Sequence, residues 1–253
     1  MNVRKTGRRL AIMSCEPDHQ EPMRFRGKNI TIRELLSVTF KELGLEPIIH
    51  RPVKDSRDFP AAGGIGAVVV GGSKLNLFDD DISKNEWIRR LFDFVRNVHE
   101  KVPVLGICYG HQVVARSFGA PIERFGPEVG YEVGFAPVWL TPEGKEDVLF
   151  QRIPEIFDAM FSHFDYIPEV PDSRLLGISP THGSVQAFRV SDSTWGIQFH
   201  PEYTASCIRD VLEQRRSVVE KLIDVDKALA TLNRRERFDV ITLHNFARFV
   251  SQD

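Results

Sequence analysis

Two hydrophobic rhythms run along the chain. Residues 10–15 form a short apolar run, and the polar stretch 16–29 after it predicts a loop long enough to lie over a site. Apolar residues at 32, 35, 36, 40 and 43 then follow the spacing of one helical face, and Gly44 ends that pattern. Residues 47–53 and 65–70 predict two more strands, the second interrupted by Gly71-Gly72-Ser73. Ser83 and Glu86 stand at capping-box spacing ahead of Trp87, Leu91, Phe94, Val95 and Val98, which predicts an amphipathic helix. Strand, helix and strand in alternation predict a parallel α/β sheet.

Residues 102–107 form the next apolar strand, and it runs straight into Gly106-Ile107-Cys108-Tyr109-Gly110. Residues 112–118 have helical character, with Gly119 where a C-cap belongs. A G-x-C-x-G between a buried strand and a helix is the sharp turn of a nucleophile elbow. Its glycines have a steric reason, since a side chain there would crowd the turn. The turn places the Cys108 sulfur at a helix N-terminus, where partial positive charge favours thiolates. From about residue 128 the pattern changes. Strand-like runs at 131–140, 159–167, 175–178, 185–190 and 194–199 have little helix between them, and helical spacing returns at 205–223 and 237–249. With no Pro/Gly/Ser linker between the halves, the expectation is one domain over 1–253, its parallel sheet extended by antiparallel strands.

Composition narrows the function. A chain of 253 residues, 42% hydrophobic and 27% charged, can bury a real core. The net charge of −2 gives no reason to expect nucleic acid or an anionic membrane as partner. The basic residues Arg4, Lys5, Arg8 and Arg9 read as a solvated tail. No apolar run approaches the ~18 residues of a membrane span, and no signal-peptide pattern follows Met1. Three cysteines at unrelated spacings fit a reducing compartment with one functional thiol, so the cytoplasm is expected. No His/Cys cluster has metal-ligand spacing, and no cofactor is expected.

A thiolate nucleophile needs a base, usually a histidine oriented by a third group. In Phe199-His200-Pro201-Glu202, an extended backbone would put His200 and Glu202 on one side, where the carboxylate can fix the imidazole tautomer. Gly-Ile-Cys-Tyr-Gly-His-Gln followed far downstream by Gly-Ile-Gln-Phe-His-Pro-Glu resembles the class I glutamine amidotransferase domain, over roughly residues 10–220. That resemblance implies a flavodoxin-like three-layer sandwich with helices on both faces of a mostly parallel sheet. It implies Cys108 as nucleophile, His200 as general base and acid, and Glu202 as its orienting carboxylate. It also implies an oxyanion hole from the backbone at Gly71, Gly72 and Tyr109. Gln112 and the Ser162-His163 stretch would hold the amino-acid end of a small substrate, glutamine or a γ-glutamyl peptide.

Departures from the family pattern matter too. Ser73-Lys74 replaces the Gly-Gly-Pro continuation common in nucleotide and tryptophan pathway members, and no P-loop or pyrophosphatase signature follows the triad. Three expectations result: a self-sufficient γ-glutamyl amide hydrolase, an ammonia-donating subunit served by a separate synthetase subunit, or a catalytically idle binding module. Asp79-Asp80-Asp81, Trp87 and Tyr203 resemble the stand-alone branch, which includes γ-glutamyl peptidases. The complete triad argues against idleness.

Overall fold

The computed structural model describes residues 8–78, 85–233 and 236–252. In chain order the first half contains β1 (Arg9–Met13), the hairpin β2 (Met23–Phe25) and β3 (Lys28–Ile30), α1 (Ile32–Glu42), β4 (Glu46–His50), β5 (Ala67–Val70), α2 (Glu86–Val98), β6 (Val104–Ile107) and α3 (Tyr109–Ser117). The second half contains β7 (Glu123–Arg124), β8 (Glu132–Leu140), α4 (Pro142–Glu146), β9 (Ile156–His163), β10 (Asp165–Tyr166), β11 (Arg174–Ile178), β12 (Val185–Ser191) and β13 (Thr194–Ile197). Three helices follow: α5 (Ala205–Val219), α6 (Val225–Thr231) and α7 (Ile241–Ser251).

Nine strands form one sheet in the order β4-β1-β5-β6-β13-β12-β11-β8-β9. The first five are parallel, and β12, β11, β8 and β9 extend the sheet antiparallel. Strand alternation divides the core between two faces. Leu10, Ile12, Leu105 and Ile107 point to the face covered by α1, α5 and α7. Ala11, Met13, Val68, Val70 and Val104 point to the face covered by α2 and α3. The expected three-layer, flavodoxin-like arrangement is thus present. The antiparallel half rolls back on itself: His200 N–H donates to the Met160 carbonyl of β9 at 2.7 Å, and Phe157 and Phe161 meet Phe199 edge-on. This brings the far edge of the sheet next to the end of β13.

Several local expectations need correction. The stretch 16–29 is not all loop, because Arg26 and Gly27, both at positive φ, close the β2–β3 hairpin. The helix after the elbow begins at Tyr109, not Gln112, with Cys108 itself as N-cap. Helix α2 begins at Glu86 with Asn85 as N-cap and no side-chain capping bond; Glu86 pairs instead with Arg90, one turn on. Ser83, like Asp79-Asp80-Asp81 and the tail residues Arg4 and Lys5, lies outside the described residues. The capping box that does form belongs to α1, where Thr31 and Glu34 bond reciprocally. Helices α4 and α6 are too short to leave a periodic signature. Among the described residues no helix is long and apolar enough to cross a membrane.

Candidate active site

Three neighbouring parallel strands, β5, β6 and β13, end at one rim of the sheet, and each delivers a segment of the site. Open α/β sheets bind ligands at this rim because the loops diverge there. Gly71-Gly72 follows β5, Cys108 follows β6, and His200 comes three residues after β13.

The elbow is as tight as its glycines imply. Cys108 has φ 53°, a conformation costly for any residue with a Cβ. A Cβ on Gly110 would lie 2.6 Å from the Val70 carbonyl carbon, and one on Gly106 would lie 2.6 Å from the Gly110 carbonyl carbon. Only glycine allows α3 to start this close to β5 and β6. Cys108 N–H donates to the Ile197 carbonyl at 2.9 Å, and its own carbonyl accepts from Gln112 N–H at 3.1 Å. The sulfur therefore stands at the N-terminus of α3, over the sheet rim.

His200 is buried, and its Nδ1 meets Glu202 Oε1 at 2.8 Å. Tyr203 stacks on the imidazole at 4.0 Å with the rings 5° from parallel, which holds the ring plane. Burial alone would pull the His200 pKa down. The adjacent Cys108 sulfur and the Glu202 carboxylate outweigh that and push it up to about 10. Cysteine, imidazole and carboxylate thus form one continuous series.

The other expected residues divide. Gly71 N–H is committed to the Met13 carbonyl at 3.2 Å, which ties β5 to β1. Gly72 instead lies against the imidazole: a Cβ there would come within 2.9 Å of His200 Cε1. Of the two glycines, Gly72 borders His200 and Gly71 borders Leu36 and Met13. Tyr109 follows Cys108 as the first helical residue, with its ring turned into the core. Gln112 lines the pocket beside Cys108, its Nε2 donating to the Asp165 carbonyl at 3.0 Å. Ser162 lines it too, its hydroxyl paired with Tyr131 OH at 2.6 Å. The His163 ring is taken by the framework, between the Asp165 carbonyl at 2.9 Å and the Glu132 carboxylate at 2.8 Å.

Sequence reasoning missed several residues of this cleft. Cys108, Gln112, Ser162, His163, Arg124 and Asp165 line one lobe, with the Arg124 guanidinium clasping Asp165 through Nε and Nη2. Gln20, Glu21, Met23, His200, Tyr203 and Val211 line the other. Ser73, Lys74, Ser162 and Arg215 border both lobes. Lys74 carried one signal, since it stands where the family continuation departs; Arg215 is one of several arginines in an amphipathic helix and carried none. Among the described residues no group of three or more His, Cys, Asp or Glu side chains could hold a metal ion.

A flavodoxin-like sheet with a cysteine elbow facing a His–Glu pair defines a class of thiol-centred α/β protein. The chain belongs to the class-I glutamine amidotransferase family, whose model matches residues 29–215. It is 30% identical over 158 residues to the glutamine-hydrolysing GMP synthase of Thermosipho africanus, covering 62% of this chain and 28% of that protein. It is 35% identical over 107 residues to a glutamine-hydrolysing GMP synthase subunit of Methanococcus vannielii, covering 42% of this chain and 53% of that protein. The aligned part thus spans under a third of the bacterial relative and about half of the archaeal one. In structure it is similar to a glutamine amidotransferase from Thermotoga maritima, with TM-score 0.72, 21% identity and coverage of 97% and 98% of the two chains. A glutamine amidotransferase from Methylobacillus flagellatus gives TM-score 0.68 at 20% identity, covering 96% of this chain and 94% of that one.

Proposed function

We propose that this protein hydrolyses a γ-glutamyl amide, glutamine or a γ-glutamyl peptide, through a γ-glutamyl thioester on Cys108. The observation that carries the reading is Cys108 at an α-helix N-terminus, at φ 53°, close enough to His200 to raise its pKa, with Glu202 holding that imidazole from behind. The thiolate attacks the δ-carbonyl carbon, and a C–S bond forms as the carbonyl π pair moves to oxygen. Backbone N–H groups at Gly72 and Tyr109 receive that oxyanion; such donors are each worth ~2.7–4 kcal/mol. The C–N bond then breaks, and His200 gives its proton to the departing nitrogen. Water attacks the thioester, His200 takes the water proton, and sulfur leaves as thiolate, releasing glutamate. Glu202 holds the tautomer and the charge of His200 throughout.

The test is mass spectrometry of products from the purified protein given glutamine and, separately, glutathione. Glutamate release that depends on Cys108 supports the reading; none from either compound, with Cys108 open to alkylation, overturns it. The likeness to the archaeal GMP synthase subunit favours a second reading, in which ammonia passes to a separate synthetase subunit. A co-purifying synthetase that raises glutamine hydrolysis severalfold would establish it.

A further inference from the structure

The boundary between the two lobes of the cleft carries two cations, Lys74 and Arg215. Their hydrogen-bond and ring partners are all neutral. Lys74 Nζ donates to Gln214 Oε1 at 3.0 Å, and its backbone N–H to Gln20 Oε1 at 3.3 Å. Gln214 is itself fixed by its Nε2, which donates to the Pro22 carbonyl at 2.8 Å. The Arg215 guanidinium lies 5.7 Å from the Phe164 ring centre and reaches Tyr131 OH at 3.4 Å. Among the described residues, no carboxylate stands within ion-pairing distance of either. Burial and the neighbouring Arg215 charge both lower the Lys74 pKa, although Glu21 and Glu16 oppose this. Two like charges oriented by neutral groups toward one cleft are costly until an anion arrives.

Position says which anion. His200, the group that protonates the leaving nitrogen, lines the Gln20–Val211 lobe, so that lobe receives what departs. Ammonia needs no charge. An amino acid or peptide brings a carboxylate, and its side chain would meet the apolar wall of Met23, Ile32 and Val211.

We propose that Lys74 and Arg215 form a carboxylate subsite for the leaving group, so that the preferred substrates are γ-glutamyl amino acids or short γ-glutamyl peptides with a free carboxylate on the departing amine. The inference rests on the thioester reading of Cys108. A guanidinium and an ammonium lining one cleft suit a carboxylate, the first by its planar fork and the second as a point charge. A carboxylate of the glutamyl half would have the same chemistry, and the substrate series separates the two sources.

The experiment compares γ-glutamyl-alanine, γ-glutamyl-alaninamide and glutamine as substrates of the unmodified protein, then of Lys74→Met and Arg215→Met. The expected result is a kcat/KM for γ-glutamyl-alanine about tenfold or more above that of its amide, a ratio that falls toward one in each variant. A ratio near one in the unmodified protein, with Cys108-dependent cleavage present, overturns the subsite and leaves the thioester reading standing. Equal losses on acid and amide in the variants overturn it too, and assign the pair to the glutamyl carboxylate. Cleavage of none of the three, with Cys108 open to alkylation, removes the thioester reading and the subsite with it. The comparison in the unmodified protein needs no variant to fold.

Discussion

At the scale of single residues, the site depends on one strained backbone position and one buried charge. Cys108→Ala is expected to abolish turnover while the thermal melt stays cooperative. Cys108→Gly should abolish it equally, yet be more stable than Cys108→Ala by about 1 kcal/mol, because glycine accepts φ 53° without strain. Differential scanning calorimetry of the two variants reads that difference. The Cys108 sulfur is also one of the groups that raise the His200 pKa to about 10. Removing it should move the imidazole titration to lower pH, visible in the His200 ring-proton NMR signal; an unmoved titration would mean the two side chains are not coupled. The sign for stability follows. A raised imidazole contributes fully below its ordinary value of 6.5, and that contribution disappears as pH climbs through about 10. His200→Ala should cost roughly 10²–10⁴-fold in kcat, and Glu202→Gln less, because the carboxylate orients and does not transfer the proton.

At the scale of elements, the elbow and the strand pair β8–β9 position what the residues do. Gly110→Ala would push a methyl into the Val70 carbonyl and separate α3 from β5. The expected loss is roughly 4 kcal/mol or more, read as a large drop in thermal midpoint. Across β8 and β9, Glu132 faces His163 and also accepts from His182 Nε2 at 3.1 Å. Burial would raise the Glu132 pKa, but hydrogen bonds from His163 and His182 hold it down to about 2. A depressed carboxylate stabilises above its ordinary 4.5, and that stabilisation is lost as pH falls toward 2. Glu132→Gln should therefore flatten the acid limb of the stability curve between those values, measured by urea melts at each pH. The elbow was legible beforehand because its glycine spacing states a steric need. The role of Glu132 was not, because a carboxylate on a strand reads as solvent-facing until the strand is rolled inward.

At the scale of the whole molecule, two cores hold the sheet rim in register. Helix α7 closes one face: Phe246 meets Phe40 of α1 and Trp195 of β13 edge-on, and Asn245 Nδ2 donates to the carbonyls of Leu149 and Gln151. Phe246→Ala is expected to cost about 3–5 kcal/mol by cavity formation. It should lower the thermal midpoint and leave the pH profile of catalysis in place, since it touches no group that titrates in the site. A shifted pH profile in that variant would mean that α7 packing sets the His200–Glu202 geometry.

The parallel α/β half, the elbow and the His-Pro-Glu segment were already written in the order of the residues. The first two rest on local rules: apolar periodicity and the steric demand of Gly106 and Gly110. His200 and Glu202 meet by another route than the expected extended backbone, because residues 201 and 202 form a turn closed by Tyr203 N–H on the His200 carbonyl at 3.2 Å. The antiparallel extension and the helices near 205–223 and 237–249 were legible too; the details of the cleft waited for the folded chain. Folding committed Gly71 to β1 and set Gly72 against the imidazole, made a hairpin of residues 23–30 beside the cleft, and occupied His163 with Glu132. It also brought Lys74 and Arg215, 141 positions apart in the numbering of the chain, to one cleft. Those outcomes depend on how the antiparallel strands roll back onto β13 and on where α5 docks. Such long-range packing leaves no period in the chain, so it becomes visible only when the faces meet.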